Sequence, residues 1–244
     1  MQHYLHTIVI GLSGVENGLA VKPDDLDISW KAHDVVGSAR EARRFVLRAT
    51  LILVAEELKE YATRVLKYLT HGTQALPETR EDRIKALSAF SPVDPSYLIL
   101  APLIVSHWRN RIIHRKSTAS LTAEEKHLLL TQNVTLRDNY KGIDVSRLLE
   151  DFHNNQPTLK DVTVLLAMSI KFVRQVDARL TPPSTSEEIR RWLQAEDLLA
   201  NVLKLEKEAA NGGHPDPRHR AKQYLLTEAP SLAQGYYVHG AGLA

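Results

Sequence analysis

Arg109-Asn110-Arg111-Ile112-Ile113-His114 put a permanently charged guanidinium, an amide and an imidazole that titrates near neutrality into one short segment. A guanidinium clamps a phosphate, and a neutral imidazole moves a proton near pH 7. Together they suffice to cleave RNA without a metal. On a helix, Asn110 and His114 are i, i+4 neighbours on one face, whereas Arg109 lies about 140° around the axis. Its long side chain must therefore curl over the edge to meet a ligand shared with His114. Ile112 and Ile113 bury the remaining surface.

Further cations extend the patch. Arg111 and Arg115 form a second i, i+4 pair and Lys116 continues it, so the three read as guides for an RNA backbone. Trp108 precedes the motif and offers a ring on which a base can stack. Each has a structural alternative: cations at a helix end also complement the dipole's negative terminus, and a tryptophan here also suits a core. A non-catalytic helical adaptor or nucleotide-binding subunit is the alternative for the chain as a whole. It expects His114 buried or hydrogen-bonded away; the nuclease expects it exposed in a cleft.

Competing chemistries find little support. The chain of 244 residues has no cysteine, which excludes disulfides, thiolate zinc sites and a cysteine nucleophile and fits a reducing cytoplasm. Of its 11 histidines, His3 and His6 lie near the terminus and His214 and His219 flank prolines; no His-Glu-x-x-His occurs, so no metal or cofactor is expected. Gly11-Leu12-Ser13-Gly14 lacks the spacing of a phosphate-binding loop. Arg218-His219-Arg220-Ala221-Lys222 reads as a solvated basic face. A formal net charge of +2 gives no general basic field, so any RNA contact has to come from a local patch. No apolar run approaches membrane length, and the amino-terminal residues lack a secretory pattern, which leaves a soluble intracellular protein as the expectation.

The elements that would position the motif read as all-α. Residues 1–21 suit a helix, although Ile8-Val9-Ile10 also fit a short strand. Ser38 with Glu41 forms a capping box opening a helix to about Leu69, with Ala42, Phe45, Ala49, Ile52, Leu58, Ala62, Val65 and Leu69 as its apolar face and Glu56 among its solvent residues. A short helix covers about Glu81–Phe90. Asp94-Pro95 then starts the motif helix, which Pro102 should kink. Thr122 opens a helix to about Arg137, Asp144 a short one to His153, and Thr158 with Asp161 the clearest of all. There Leu159, Val162, Leu166, Ser169, Val173, Val176 and Leu180 recur three and four apart, the seam of a bundle helix. Pro182-Pro183-Ser184 mark a boundary, followed by a charged helix over about Ser186–Ala210 and a short one over Arg218–Leu226.

An arginine, an adjacent polar residue and a histidine five positions on, closing the third major helix of an all-helical domain, resemble the HEPN superfamily (higher eukaryotes and prokaryotes nucleotide-binding). The likeness covers roughly residues 38–181, with Arg109, Asn110 and His114 at the motif positions. It implies a HEPN-like helical bundle at 1–181 and a C-terminal helical extension at 182–244. It further implies a metal-independent endoribonuclease of toxin–antitoxin or phage-defence type, with a homodimer whose composite site faces two motifs across a cleft and with an antitoxin or regulatory partner. Arg109, Asn110 and His114 would then be catalytic, with His114 as general base and Arg109 stabilising the transition state. In relatives silenced by a nucleotidyltransferase antitoxin, a tyrosine often follows the histidine by two positions. Here Lys116 stands there, which argues against that form of regulation.

Overall fold

The structure is a computed structural model, and it describes residues 8–14, 17, 35–70, 74–90, 92–114, 116–180, 185–212, 216, 218–228 and 236. The fold is all-α, with no strand among the described residues. Residues 8–14, including the Ile-Val-Ile run, are helical (α1). The central element is α4, Leu100–Ile113, preceded by a 3-10 turn at Ser96–Ile99. Every residue from Leu100 to Ser106 is buried. A helix apolar all round must lie inside a bundle, and α4 does: it packs against α2 (Val35–Leu69), α3 (Arg80–Phe90) and α8 (Leu159–Asp177).

Several boundaries differ from the sequence reading, each for a local reason. Helix α2 begins at least as early as Val35, so Ser38 lies inside it and caps nothing. Its buried stripe runs through Leu47, Leu51, Val54, Leu58, Ala62 and Val65, and Phe45 is 72% exposed. The motif helix opens at Leu100, not at Asp94-Pro95. That places Pro102 in the first turn, whose N–H groups have no intrahelical partner, and removes the reason for a kink. The expected helix to Arg137 is two, α5 (Ala123–Thr131) and α6 (Asn133–Asn139), interrupted at Gln132. The charged helix beyond the boundary also divides, into α9 (Ser186–Ala195) and α10 (Leu199–Asn211), around Asp197 at φ 58°.

The caps that sequence pattern identified do form where helices start after a loop. Thr122 with Glu125 and Thr158 with Asp161 make capping boxes, and Asp144 accepts from the N–H groups of Ser146 and Arg147 at the head of α7 (Val145–His153). Each offsets donors that would otherwise be orphaned.

Among the described residues, buried apolar side chains fall into two clusters. The larger joins Val9 to α2, α3, α4, α7 and α8, with Trp108, Phe172 and Leu165 at its heart. The smaller contains Ile189, Leu193, Val202, Ala221, Leu225 and Tyr236, drawn from α9, α10, α11 (Arg218–Glu228) and the segment beyond it. The Tyr236 hydroxyl donates to Glu206 within it. Helix α9 rests on α2 through stacked Tyr68 and Trp192 rings, 4.3 Å apart, and an Arg64–Glu196 ion pair at 3.3 Å. The Pro182-Pro183 boundary itself falls outside the described residues. No described helix is long and apolar enough to cross a membrane.

Candidate active site

The last turn of α4 emerges from the core, and its polar side chains diverge. His114 is the C-cap. Its N–H still donates to Asn110 O at 2.8 Å, but φ −110° and ψ 97° take it out of the helix. Its carbonyl accepts from Ser117 N at 2.8 Å, which pins the backbone on both sides. The imidazole is exposed, with no side-chain partner among the described residues.

Arg109 turns the other way, toward α2. Its Nε donates to Glu56 Oε1 at 3.1 Å, its Nη2 stands 3.0 Å from the same oxygen, and its Nη1 donates to Asn110 Oδ1 at 3.3 Å. Arg80 of α3 reaches that oxygen too, at 2.6 Å. Burial pushes the Glu56 carboxyl up, but the hydrogen bonds and charges of Arg80 and Arg109 outweigh it and leave the group below the usual range. Glu56 is thus no ordinary solvent residue of α2. It is the acceptor that fixes the direction of the guanidinium.

Asn110 links this cluster to a second one. Its amide donates to Glu81 Oε1 at 3.0 Å, and the same oxygen lies 3.5 Å from His107 Nδ1. Burial holds His107 below its ordinary value, opposed by Glu81 and Glu125 and reinforced by Lys85. At neutral pH the ring is therefore uncharged, and its approach to Glu81 is not an ion pair; Nδ1 has no hydrogen-bond partner. Lys85 itself pairs with Glu125 at 2.9 Å, tying α3 to α5. The result is a chain of bonded side chains, Arg80–Glu56–Arg109–Asn110–Glu81, across three helices, with the His107 ring beside Glu81.

The auxiliary residues separate. Arg111 donates to the carbonyls of Phe152 (3.0 Å) and His153 (2.9 Å) and lies over the Phe152 ring, so it closes the C-terminal end of α7 against α4. Trp108 is 0% exposed; its Nε1 donates to Asn155 Oδ1 at 3.1 Å and its ring meets Phe152 edge-on. A ring packed on all sides has no face for a base, which corrects the stacking role. Lys116 is exposed, and Arg115 lies outside the described residues. No group of three or more His, Asp or Glu among the described residues is placed to hold a metal.

Sequence reasoning missed Glu56, Arg80, Glu81 and His107 as members of the site. Glu56 carried a signal: it adjoins Val54, Ala55 and Leu58, all buried, so it stands at the edge of the core face of α2. His107 and Asn110 are i, i+3 on α4, a spacing that aligns them toward one partner helix.

Fold and site together define an all-helical protein with a part-buried polar network around the last turn of α4 and an exposed histidine at its C-cap. No family model, curated protein or solved structure matches the chain.

Proposed function

We propose that the chain is a metal-independent endoribonuclease. The observation that carries this reading is the exposed imidazole of His114, with no side-chain partner among the described residues, one turn beyond a guanidinium held in place by Glu56 and Asn110. A fixed cation and an exposed proton carrier at the same helix end are the minimum for transesterification of RNA, and a bound phosphate would have to bridge the two diverging side chains. His114 takes the proton of a ribose 2′-OH as its oxygen attacks the adjacent phosphorus. Arg109 stabilises the charge that gathers on the phosphoryl oxygens. The bond to the 5′ oxygen breaks, and that oxygen takes a proton from a general acid, for which His114 of the partner subunit in a homodimer has the right chemistry. The products are a 2′,3′-cyclic phosphate and a 5′-hydroxyl, and DNA, lacking the hydroxyl, resists. Arg115 and Lys116 follow His114 directly and would attract the backbone. If the resemblance to HEPN nucleases holds, such an enzyme would be a cytoplasmic toxin or phage-defence effector, restrained by an antitoxin or other regulatory partner.

A second reading has its own observation. Arg109 is ion-paired to Glu56, and Arg111 is tied to two carbonyls of α7. Both arginines therefore hold helices together, as they would in a helical adaptor that cuts nothing. Labelled structured RNA incubated in EDTA with wild type, Arg109→Ala and His114→Ala separates the two. Cyclic-phosphate ends from wild type, absent with both folded variants, support the nuclease; intact RNA in every sample supports the adaptor.

A further inference from the structure

A cleft of ≈ 430 Å³ opens between α1, α2 and the loop leading into α8. Its wall carries Arg43, Arg44 and Arg48 from α2, Ser13 from α1, and Gln156 and Thr158 from the loop; no carboxylate is among the described residues that line it. The three arginines follow from sequence spacing. Arg44 and Arg48 are i, i+4, Arg43 precedes them by one, and Arg40 continues the same face one turn back. Between Val35 and Ala55 the one acidic residue is Glu41, so this half of α2 is strongly cationic.

The guanidinium groups differ in how they are held. Arg43 is braced by Ser13 Oγ at 3.4 Å. Arg48 donates from Nη2 to Asn155 O at 3.2 Å, but its Nε is buried with no hydrogen-bond partner. Arg44 is exposed at the mouth and has no partner among the described residues. Of the acids on α7 and α8, Asp151 pairs with Arg147 at 3.3 Å and Asp161 accepts from the Thr158 hydroxyl. Val9, Leu47 and Leu159 supply an apolar side to the same cleft.

We propose that this cleft binds a small organophosphate. Its phosphoryl oxygens would lie on the Arg44 and Arg48 guanidinium groups and its uncharged part against Val9, Leu47 and Leu159. Planar guanidinium donors match phosphate geometry, and the size falls in the range of small-molecule sites. None of the described lining residues belongs to α4, and the proposal does not rest on nuclease activity.

Thermal unfolding of the full chain, with and without each of three probes, tests it: inorganic phosphate, adenosine 5′-monophosphate and adenosine. A ligand that binds only the native state raises the melting temperature in proportion to its affinity. The expected result is a saturable rise with adenosine monophosphate, a smaller one with phosphate and none with adenosine. Arg44→Glu, an exposed substitution that leaves the packing intact, should weaken the response by about tenfold or more in apparent affinity, and Arg44→Lys should retain most of it. Equal rises with phosphate and the monophosphate would assign the site to free phosphate. No rise with either, an equal rise with adenosine, or an unchanged response in Arg44→Glu would overturn the proposal.

Discussion

Arg109 and Glu56, 53 positions apart in the chain, meet at a single carboxylate oxygen that Arg80 also approaches from a third helix. Two cations converging on one acid fix the guanidinium more firmly than a lone surface pair would. The same contact joins α2, α3 and α4 at the point where α4 leaves the core. The structural and chemical roles of Arg109 therefore pass through one residue, which makes Glu56 the position to change first.

Glu56→Gln should keep the shape and lose the charge. Because the Glu56 side chain is 42% exposed, solvent screens the pair, and the loss at pH 7 should be about 1 kcal/mol. Its folded-state pKa is depressed below the ordinary 4.5, so the stabilisation is present above that value and disappears as pH falls through the folded value. Urea unfolding of both proteins should show a gap at pH 7 that narrows as the pH falls below the ordinary value of 4.5 and closes once the folded-state carboxyl is protonated. A gap that persists unchanged in acid would mean the carboxylate charge is not what matters.

Trp108 offers a test of packing against recognition. Removing a fully buried tryptophan leaves a cavity and an unpaired Asn155 amide, so Trp108→Ala should cost about 3–5 kcal/mol by equilibrium unfolding. Trp108→Phe keeps the ring contact with Phe152 and should fold. Its affinity for single-stranded RNA, measured by fluorescence anisotropy of a labelled oligonucleotide, should equal that of wild type. A clear loss of RNA affinity in the folded Phe variant would restore the ring to the binding surface.

The all-helical fold was legible because helix starts and bundle seams are local signals. Thr122, Asp144 and Thr158 each cap the helix expected of them, and Val162, Leu166, Ser169 and Val176 lie buried as their spacing requires. The break at Asp197 was not legible, since a positive φ at an aspartate leaves no pattern in a run of good helix formers. In the site, Arg109, Asn110 and His114 were readable as a motif, but their partners were not. Glu56 and Glu81 come from 53 and 29 residues away, and nothing in the spacing of α4 says which helices flank it. Phe45 shows the opposite failure: an apolar residue at helical period was assigned inward, and tertiary packing left it in solvent.

Asp161 should make stability fall as pH rises through mildly acidic values. Burial pushes its carboxyl up to about 6; the hydrogen bonds from Thr158 oppose this and Asp151 adds to it. An acid with a raised folded-state pKa is tolerated when protonated and costs stability once ionised. The cost therefore develops between the ordinary value of 3.8 and about 6, then levels off. Asp161→Asn retains an acceptor for the Thr158 cap and removes the charge. Its stability relative to wild type should rise between pH 4 and 6.5, by about 2–3 kcal/mol in all. A difference that stays flat across that range would show that the carboxyl titrates normally.

His114 decides whether the exposed end of α4 is chemistry or surface. An exposed side chain with no partner contributes little to stability, so His114→Ala should unfold at the wild-type urea concentration within about 0.5 kcal/mol. If it is the proton carrier, the same substitution should abolish RNA cleavage in EDTA and relieve any toxicity of expression. A composite site makes a sharper demand. Adding folded His114→Ala protein to wild type and allowing subunits to exchange should depress total cleavage, because mixed dimers lack one of the two imidazoles. If total cleavage is unchanged by the added variant, each chain works alone and the second histidine is not the acid. Retained cleavage by His114→Ala alone would remove the nuclease reading of this motif altogether and leave His107, the histidine within α4 that shares Glu81 with Asn110 and whose burial favours the neutral ring, as the remaining imidazole at this end of the helix.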